Sequence, residues 1–133
     1  MITLPSAVRI FLCTRPTDMR KSFDALTGLV QECFGLDPLT GHLFLFLNRR
    51  RDCIKLLYFD RDGLAIWYKR LEAGSFERPQ PTEAKGDGME LQAAQLAMIL
   101  SGIEMKSARR RKRFQSTGER AEKQDQTRRD NLA

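Results

Sequence analysis

The sequence holds little of what most catalytic sites are made from. Among its 133 residues there is one histidine, His42. A Ser–His or Cys–His pair would need a partner brought alongside by folding, and nothing in the sequence marks one. His42 therefore reads as structural or solvent-facing. The three cysteines, Cys13, Cys33 and Cys53, lie twenty residues apart, an odd count with no metal-type spacing. That pattern argues against a disulfide framework or a zinc site and predicts reduced thiols. Phosphate-cradling loops of the GxxxxGK[ST] or GxGxxG type are missing. No apolar run approaches the roughly 20 residues of a membrane span. The N-terminus, MITLPSAVRIFLC, has no basic region ahead of its apolar stretch and no small-residue cleavage site. These absences lead to an expected cytoplasmic chain with no membrane segment, no catalytic residues, no metal and no cofactor.

Carboxylates are present, but their spacing does not suit an ion. Asp52 and Asp60 bracket a predicted strand, which at about 3.4 Å per residue separates them by over ~20 Å. A magnesium ion takes its oxygen ligands at about 2.1 Å, so one ion cannot use both. Asp60-Arg61-Asp62-Gly63 also fails as a calcium loop, because its glycine comes too early and no glutamate follows at the needed offset. Turn-capping is the expected role of these aspartates.

What the chain does have is positive charge, unevenly placed. The formal net charge is +6. From Lys106 onward there are ten Lys/Arg against four acids, and residues 1–105 carry thirteen of each. A neutral body with a cationic tail suggests a polyanionic partner. Beyond Lys106 apolar residues nearly vanish, so residues 106–133 are expected to form a disordered tail after a single domain at 1–105.

Residues 8–13 read as a first strand. Met19, Phe23, Leu26, Val30, Cys33 and Phe34 then recur at steps of three and four, predicting an amphipathic helix that begins at a Thr17 or Asp18 cap and ends at Gly35. Three short apolar runs follow at 43–47, 53–59 and 64–71. Their short links, the second ending in Gly63 as a residue tolerant of positive φ, predict an antiparallel meander. Residues 74–88 read as a loop with a short edge strand near Phe76. A second helix is expected over 90–103. Trp67 and Tyr68 must face opposite sides of their strand; Trp67 is the expected core residue and Tyr68 the surface one. The fold class is α+β, a small antiparallel sheet packed with two amphipathic helices.

The stretch FLNRRRDCI links the first two runs of the meander. A turn needs Asn, Asp or Gly for backbone reasons, and nothing in a turn needs three adjacent arginines. The planar fork of arginine suits phosphate, so Arg49, Arg50 and Arg51 are candidate DNA contacts. Arg15, Arg20 and Lys21 gather at the predicted helix start, where positive charge opposes the helix dipole unless an anion is bound. Lys55 lies on the following strand. A five-residue basic block, Arg109, Arg110, Arg111, Lys112 and Arg113, completes the set. Neutralising about five phosphates with it would give a log–log salt slope near −4 to −5 on duplex DNA.

Four stretches carry a resemblance: RPTDMRKSFDALTGLV, DPLTGHLFLF, RRRDCIKLLYFDRDGLAIWYKRLEAGSF and LQAAQLAMILSGIE. Together they resemble the small accessory protein of bacterial insertion sequences of the insertion-sequence-66 family. This is the product of the second open reading frame, often called TnpB and distinct from the RNA-guided nuclease of that name. The resemblance covers about residues 4–105. It implies a protein that acts beside a separately encoded DDE transposase and has no agreed catalytic residues. The family's patterned positions fall here on Asp18, Met19, Arg20, Arg50, Arg51, Lys55, Asp60, Gly63, Lys69 and Arg70, which adds Lys69 and Arg70 to the candidate DNA contacts. Glu104-Met105 departs from the family's usual Asp-Trp.

The resulting expectation is a non-catalytic accessory factor for transposition that binds DNA through these basic residues. Two alternatives stay open: an adaptor that docks the transposase without specific DNA binding, and a metal-dependent nuclease. The sequence leaves the oligomeric state open.

Overall fold

The computed structural model of the chain describes residues 8–80 and 86–102. Five strands form one sheet: β1 (Ile10–Cys13), β2 (Leu43–Leu47), β3 (Cys53–Asp60), β4 (Gly63–Arg70) and β5 (Gly88–Leu91). Their spatial order is β4-β3-β2-β1-β5. The meander β2-β3-β4 is antiparallel, as its short links require, and β5 runs antiparallel to β1. Only β1 and β2 are parallel, and the twelve-residue helix α1 (Phe23–Phe34) lies in the crossover between them. A second helix, α2 (Ala93–Ser101), follows β5. The fold is α+β.

Alternation along the strands divides the core in two. Phe11, Cys13, Phe44, Phe46 and Leu57 face Leu26 and Val30 of α1. Ile10, Leu12, Leu43, Leu45, Ile54 and Leu56 face the other way, onto Leu96 and Ile99 of α2 and onto Phe76. The two central strands β1 and β2 are buried throughout because both of their faces are covered. Trp67 is partly buried against the α2 side, while Tyr68 is 50% exposed.

Four local expectations are corrected. First, α1 starts at Phe23, after an Ser22 N-cap, and not at Thr17 or Asp18. The Thr17 amide donates to the Leu47 carbonyl, and the Asp18 carboxylate takes the Arg20 amide in a tight turn, so Met19 matches the helical period without being helical. Second, the edge strand is β5, at Gly88–Leu91, and residue 76 is not in it. Phe76 is a loop residue only 1% exposed that plugs the α2-side core. Third, Glu90 and Leu91 pair with Phe11 and Ile10, which delays α2 until Ala93 behind a Gln92–Gln95 capping box. Fourth, Arg61 rather than Gly63 takes the positive φ, 58°, between β3 and β4.

Candidate nucleic-acid interface

The carboxyl ends of the parallel pair β1 and β2 lie side by side, and the chain leaving them builds a cleft. Residues 14–19 leave β1 along one bank. The arginine turn, residues 48–52, forms the other. Thr17 N–H to Leu47 O at 2.8 Å ties the first bank to the end of β2, while Leu71 N–H to Asp52 O at 2.7 Å and Phe76 N–H to Arg51 O at 2.6 Å tie the turn to the segment that follows β4. In open α/β sheets, crevices outside the carboxyl ends of parallel strands commonly bind ligands; here one such parallel pair lies within an otherwise antiparallel sheet.

Asn48 organises the turn. Its side-chain amide donates to Asp52 Oδ1 at 2.6 Å, and its Oδ1 accepts the Cys53 N–H at 3.0 Å. The Arg51 N–H closes the turn onto Asn48 O at 3.0 Å, with Arg51 in the left-handed region at φ 59°. The Asn48 bond holds the Asp52 carboxyl below the usual carboxylate range. Asn48 thus closes the neck of the turn through its side chain, as turn asparagines commonly do, while Arg51 and not a glycine takes the positive φ.

The cleft has two compartments that share Pro16, Asn48 and Arg49. The larger, about 590 Å³, also meets Thr17, Asp18, Arg50 and Asp52. The smaller, about 200 Å³, meets Arg15, Arg51 and Arg78. The turn thus splits its three arginines, with Arg50 against the larger compartment, Arg51 against the smaller and Arg49 against both. All three are exposed, and among the described residues none forms an ion pair. Buried polar atoms without a hydrogen-bond partner are few among the described residues, and the two found, Thr17 Oγ1 and Arg78 Nε, belong to the walls of this cleft.

The other sequence candidates fare differently. Arg15 is matched by Glu32 at 2.7 Å and Asp87 at 3.2 Å, and its hydrogen bond to Glu32 raises its pKa further. Arg20 closes on Asp18 at 2.7 Å beside the larger compartment. That bond is the main reason the Asp18 carboxyl falls to about 2. Arg70 pairs loosely with Glu72 at 3.5 Å, and Lys69 and Arg70 are exposed at the end of the edge strand β4. Lys21 is partly exposed just ahead of α1. Arg109, Arg110, Arg111, Lys112 and Arg113, with the rest of the basic tail, lie outside the described residues.

Lys55 is a correction. It is only 7% exposed, and its ammonium donates to Met19 O at 2.8 Å and Lys21 O at 2.7 Å. It also sits 4.8 Å from the centre of the Tyr68 ring, a favourable place for a cation. The charge is used inside the fold, pinning the segment ahead of α1 to β3, so it is withdrawn from any surface contact. His42 is likewise structural: its Nδ1 accepts the Arg9 N–H at 3.0 Å. Cys13 and Cys33 bring their sulfurs within 3.3 Å as free thiols, a meeting of β1 and α1 that their spacing in sequence does not announce. Mainly through burial, the Cys33 thiol is pushed up to about 12.

Sequence reasoning missed Asn48 and Arg78. Asn48 looks like an ordinary turn residue, and its place just before RRR was the available signal. Arg78 stands alone in a proline-containing loop, and only the fold brings it to the arginine turn.

The comparisons with known proteins place the chain. No solved structure matches it. Two proteins of Sinorhizobium fredii (strain NBRC 101917 / NGR234) are similar. Uncharacterized protein y4hO is 40% identical over 103 residues, covering 76% of this chain and 87% of that protein. Uncharacterized protein y4jC is 27% identical over 111 residues, covering 84% of this chain and 92% of that protein. The family described as IS66 Orf2 like protein matches residues 8–110, which include both helices, all five strands and the arginine turn. The chain therefore belongs to the IS66 Orf2-like family, an accessory-protein family associated with transposition and not known as catalytic.

Proposed function

We propose that the protein is a non-catalytic accessory factor for transposition of its insertion sequence, binding DNA through the arginine turn while a separately encoded DDE transposase carries out strand chemistry. The observation that carries the reading is the turn itself. Arg49, Arg50 and Arg51 stand exposed on a backbone anchored from both sides, at the mouth of a cleft, with no carboxylate paired to any of them among the described residues. Lys21 and Lys69 add positive charge on the body, Arg20 and Arg70 could reach phosphate only by leaving Asp18 and Glu72, and the basic block at 109–113 would extend the contact. Such contacts fix position on the phosphate backbone and carry no base information directly.

The test is fluorescence anisotropy with the full-length protein, an element-end duplex and a scrambled duplex, across a salt series. Reversing Arg49, Arg50 and Arg51 to glutamate should weaken binding to both and flatten the log–log salt slope by roughly 2 to 3, one unit per lost phosphate contact. Unchanged affinity and slope would sink the DNA reading and leave the body as a docking surface for the transposase.

A further inference from the structure

We infer that the smaller compartment of the cleft is a seat for one phosphate group, held by Arg49, Arg51 and Arg78. The inference deepens the DNA-binding reading above and rests on it for the natural ligand.

Charge is the first ground. Four arginines, Arg15, Arg49, Arg51 and Arg78, line this compartment, and no aspartate or glutamate does. The adjoining compartment, by contrast, includes Asp18 and Asp52. Arg15 is already balanced by Glu32 and Asp87, while Arg49, Arg51 and Arg78 form no ion pair among the described residues. Like charges held together raise the energy of the fold, and an anion between them reverses the sign of each interaction. Size is the second ground. About 200 Å³ admits a phosphate but falls short of the roughly 300 Å³ at which pockets for drug-sized molecules begin.

The third ground is independent of both. Arg78 Nη1 donates to Thr14 O at 2.6 Å, which fixes the guanidinium plane, yet its buried Nε has no partner. Unpaired buried donors are uncommon in native structures and ask for an occupant. A phosphate oxygen accepting from Nε would use the edge of the guanidinium that the fold leaves over. Arginine forks suit phosphate oxygens, and here the arginines come from two separate segments, the turn and the 71–80 loop. Arg78 Nε is closed to solvent in this structure, so a phosphate reaches it only when a side chain of the cleft wall moves.

The test titrates full-length protein with inorganic phosphate, against chloride at equal ionic strength, while following arginine Nε–Hε resonances by NMR. The Arg78 resonance should shift saturably with phosphate and not with chloride. Arg78→Lys, which keeps the charge but loses Nε, should weaken phosphate binding about tenfold, the worth of one charge-assisted hydrogen bond. Arg49→Gln, on the exposed turn, should do the same and decides the matter if Arg78→Lys proves unfolded by circular dichroism. Oligonucleotides with and without a 5′-phosphate then separate the sources. Preference for the phosphorylated end assigns a terminal phosphate, and equal binding weakened by either variant assigns an internal phosphodiester. An Arg78 resonance blind to phosphate, or moved equally by chloride, overturns the seat. If the glutamate reversal weakens DNA binding while Arg78→Lys and Arg49→Gln do not, the seat fails and the DNA reading stands. If none of them weakens it, both fail.

Discussion

Asn48 and Asp52 meet at 2.6 Å across the neck of the arginine turn. The same Asn48 side chain receives the Cys53 amide, so one residue holds both flanks of the loop that carries Arg49, Arg50 and Arg51. Asn48→Ala should cost roughly 1 to 3 kcal/mol in urea denaturation, the worth of two partly buried hydrogen bonds. It should also weaken DNA binding without removing any charge, which separates positioning from electrostatics.

Lys55 gives a second test. Lys55→Met keeps much of the side-chain volume but strands the carbonyls of Met19 and Lys21. Loss of two hydrogen bonds to a charged donor predicts destabilisation of about 2 to 4 kcal/mol by chemical denaturation. Arg50→Met on the exposed turn should stay within about 0.5 kcal/mol. Equal costs for the two would contradict the internal role of Lys55.

Gly88 is required by close approach. A Cβ there would lie 2.5 Å from Phe34 Cδ1 and 2.9 Å from the Cys33 carbonyl oxygen, and the carbonyl belongs to backbone that cannot swing away. Gly88→Ala should cost about 1 to 3 kcal/mol, read as a lowered Tm. The damage should centre on the contact between β5 and the end of α1, visible as faster amide exchange there.

Asp18 sets an acid-side dependence. Its carboxyl is lowered from 3.8 to about 2, first by the Arg20 side-chain hydrogen bond and then by the Arg20 amide. The folded value lies below the unfolded one, so its contribution is complete above about pH 4 and is lost as pH falls toward 2. Arg20→Gln should return the Asp18 pKa toward the ordinary value in a ¹³C-carboxyl NMR titration. An unmoved value would show that Arg20 is not the cause.

The sequence made the meander plain because β2, β3 and β4 are apolar runs separated by links too short for anything but hairpins. It hid β5, because Met89, Glu90 and Leu91 fit the period of the helix that follows as well as that of a strand, and only pairing with β1 decides between them. It misplaced the start of α1 for a related reason: Met19 is in helical phase, while the Thr17 amide is already bonded to Leu47. Lys55 was misread because a lysine on a strand is almost always at the surface, and its two carbonyl partners lie 36 and 34 residues away. The arginine turn was legible by composition alone. Its union with Arg78 was not, since that depends on where two loops come to rest.

The anchoring of the turn by Leu71 and Phe76 has a consequence for how binding responds to heat. Fixing the backbone of one residue costs about 1 to 2 kcal/mol in entropy at 25 °C, and a floppy five-residue loop would meet that cost each time it engaged a ligand. Here folding has already met it, and only arginine side chains remain to be ordered on contact. A preformed turn of this kind should associate quickly, add little conformational-entropy cost to binding, and lose its grip abruptly when the contacts of Leu71 and Phe76 melt.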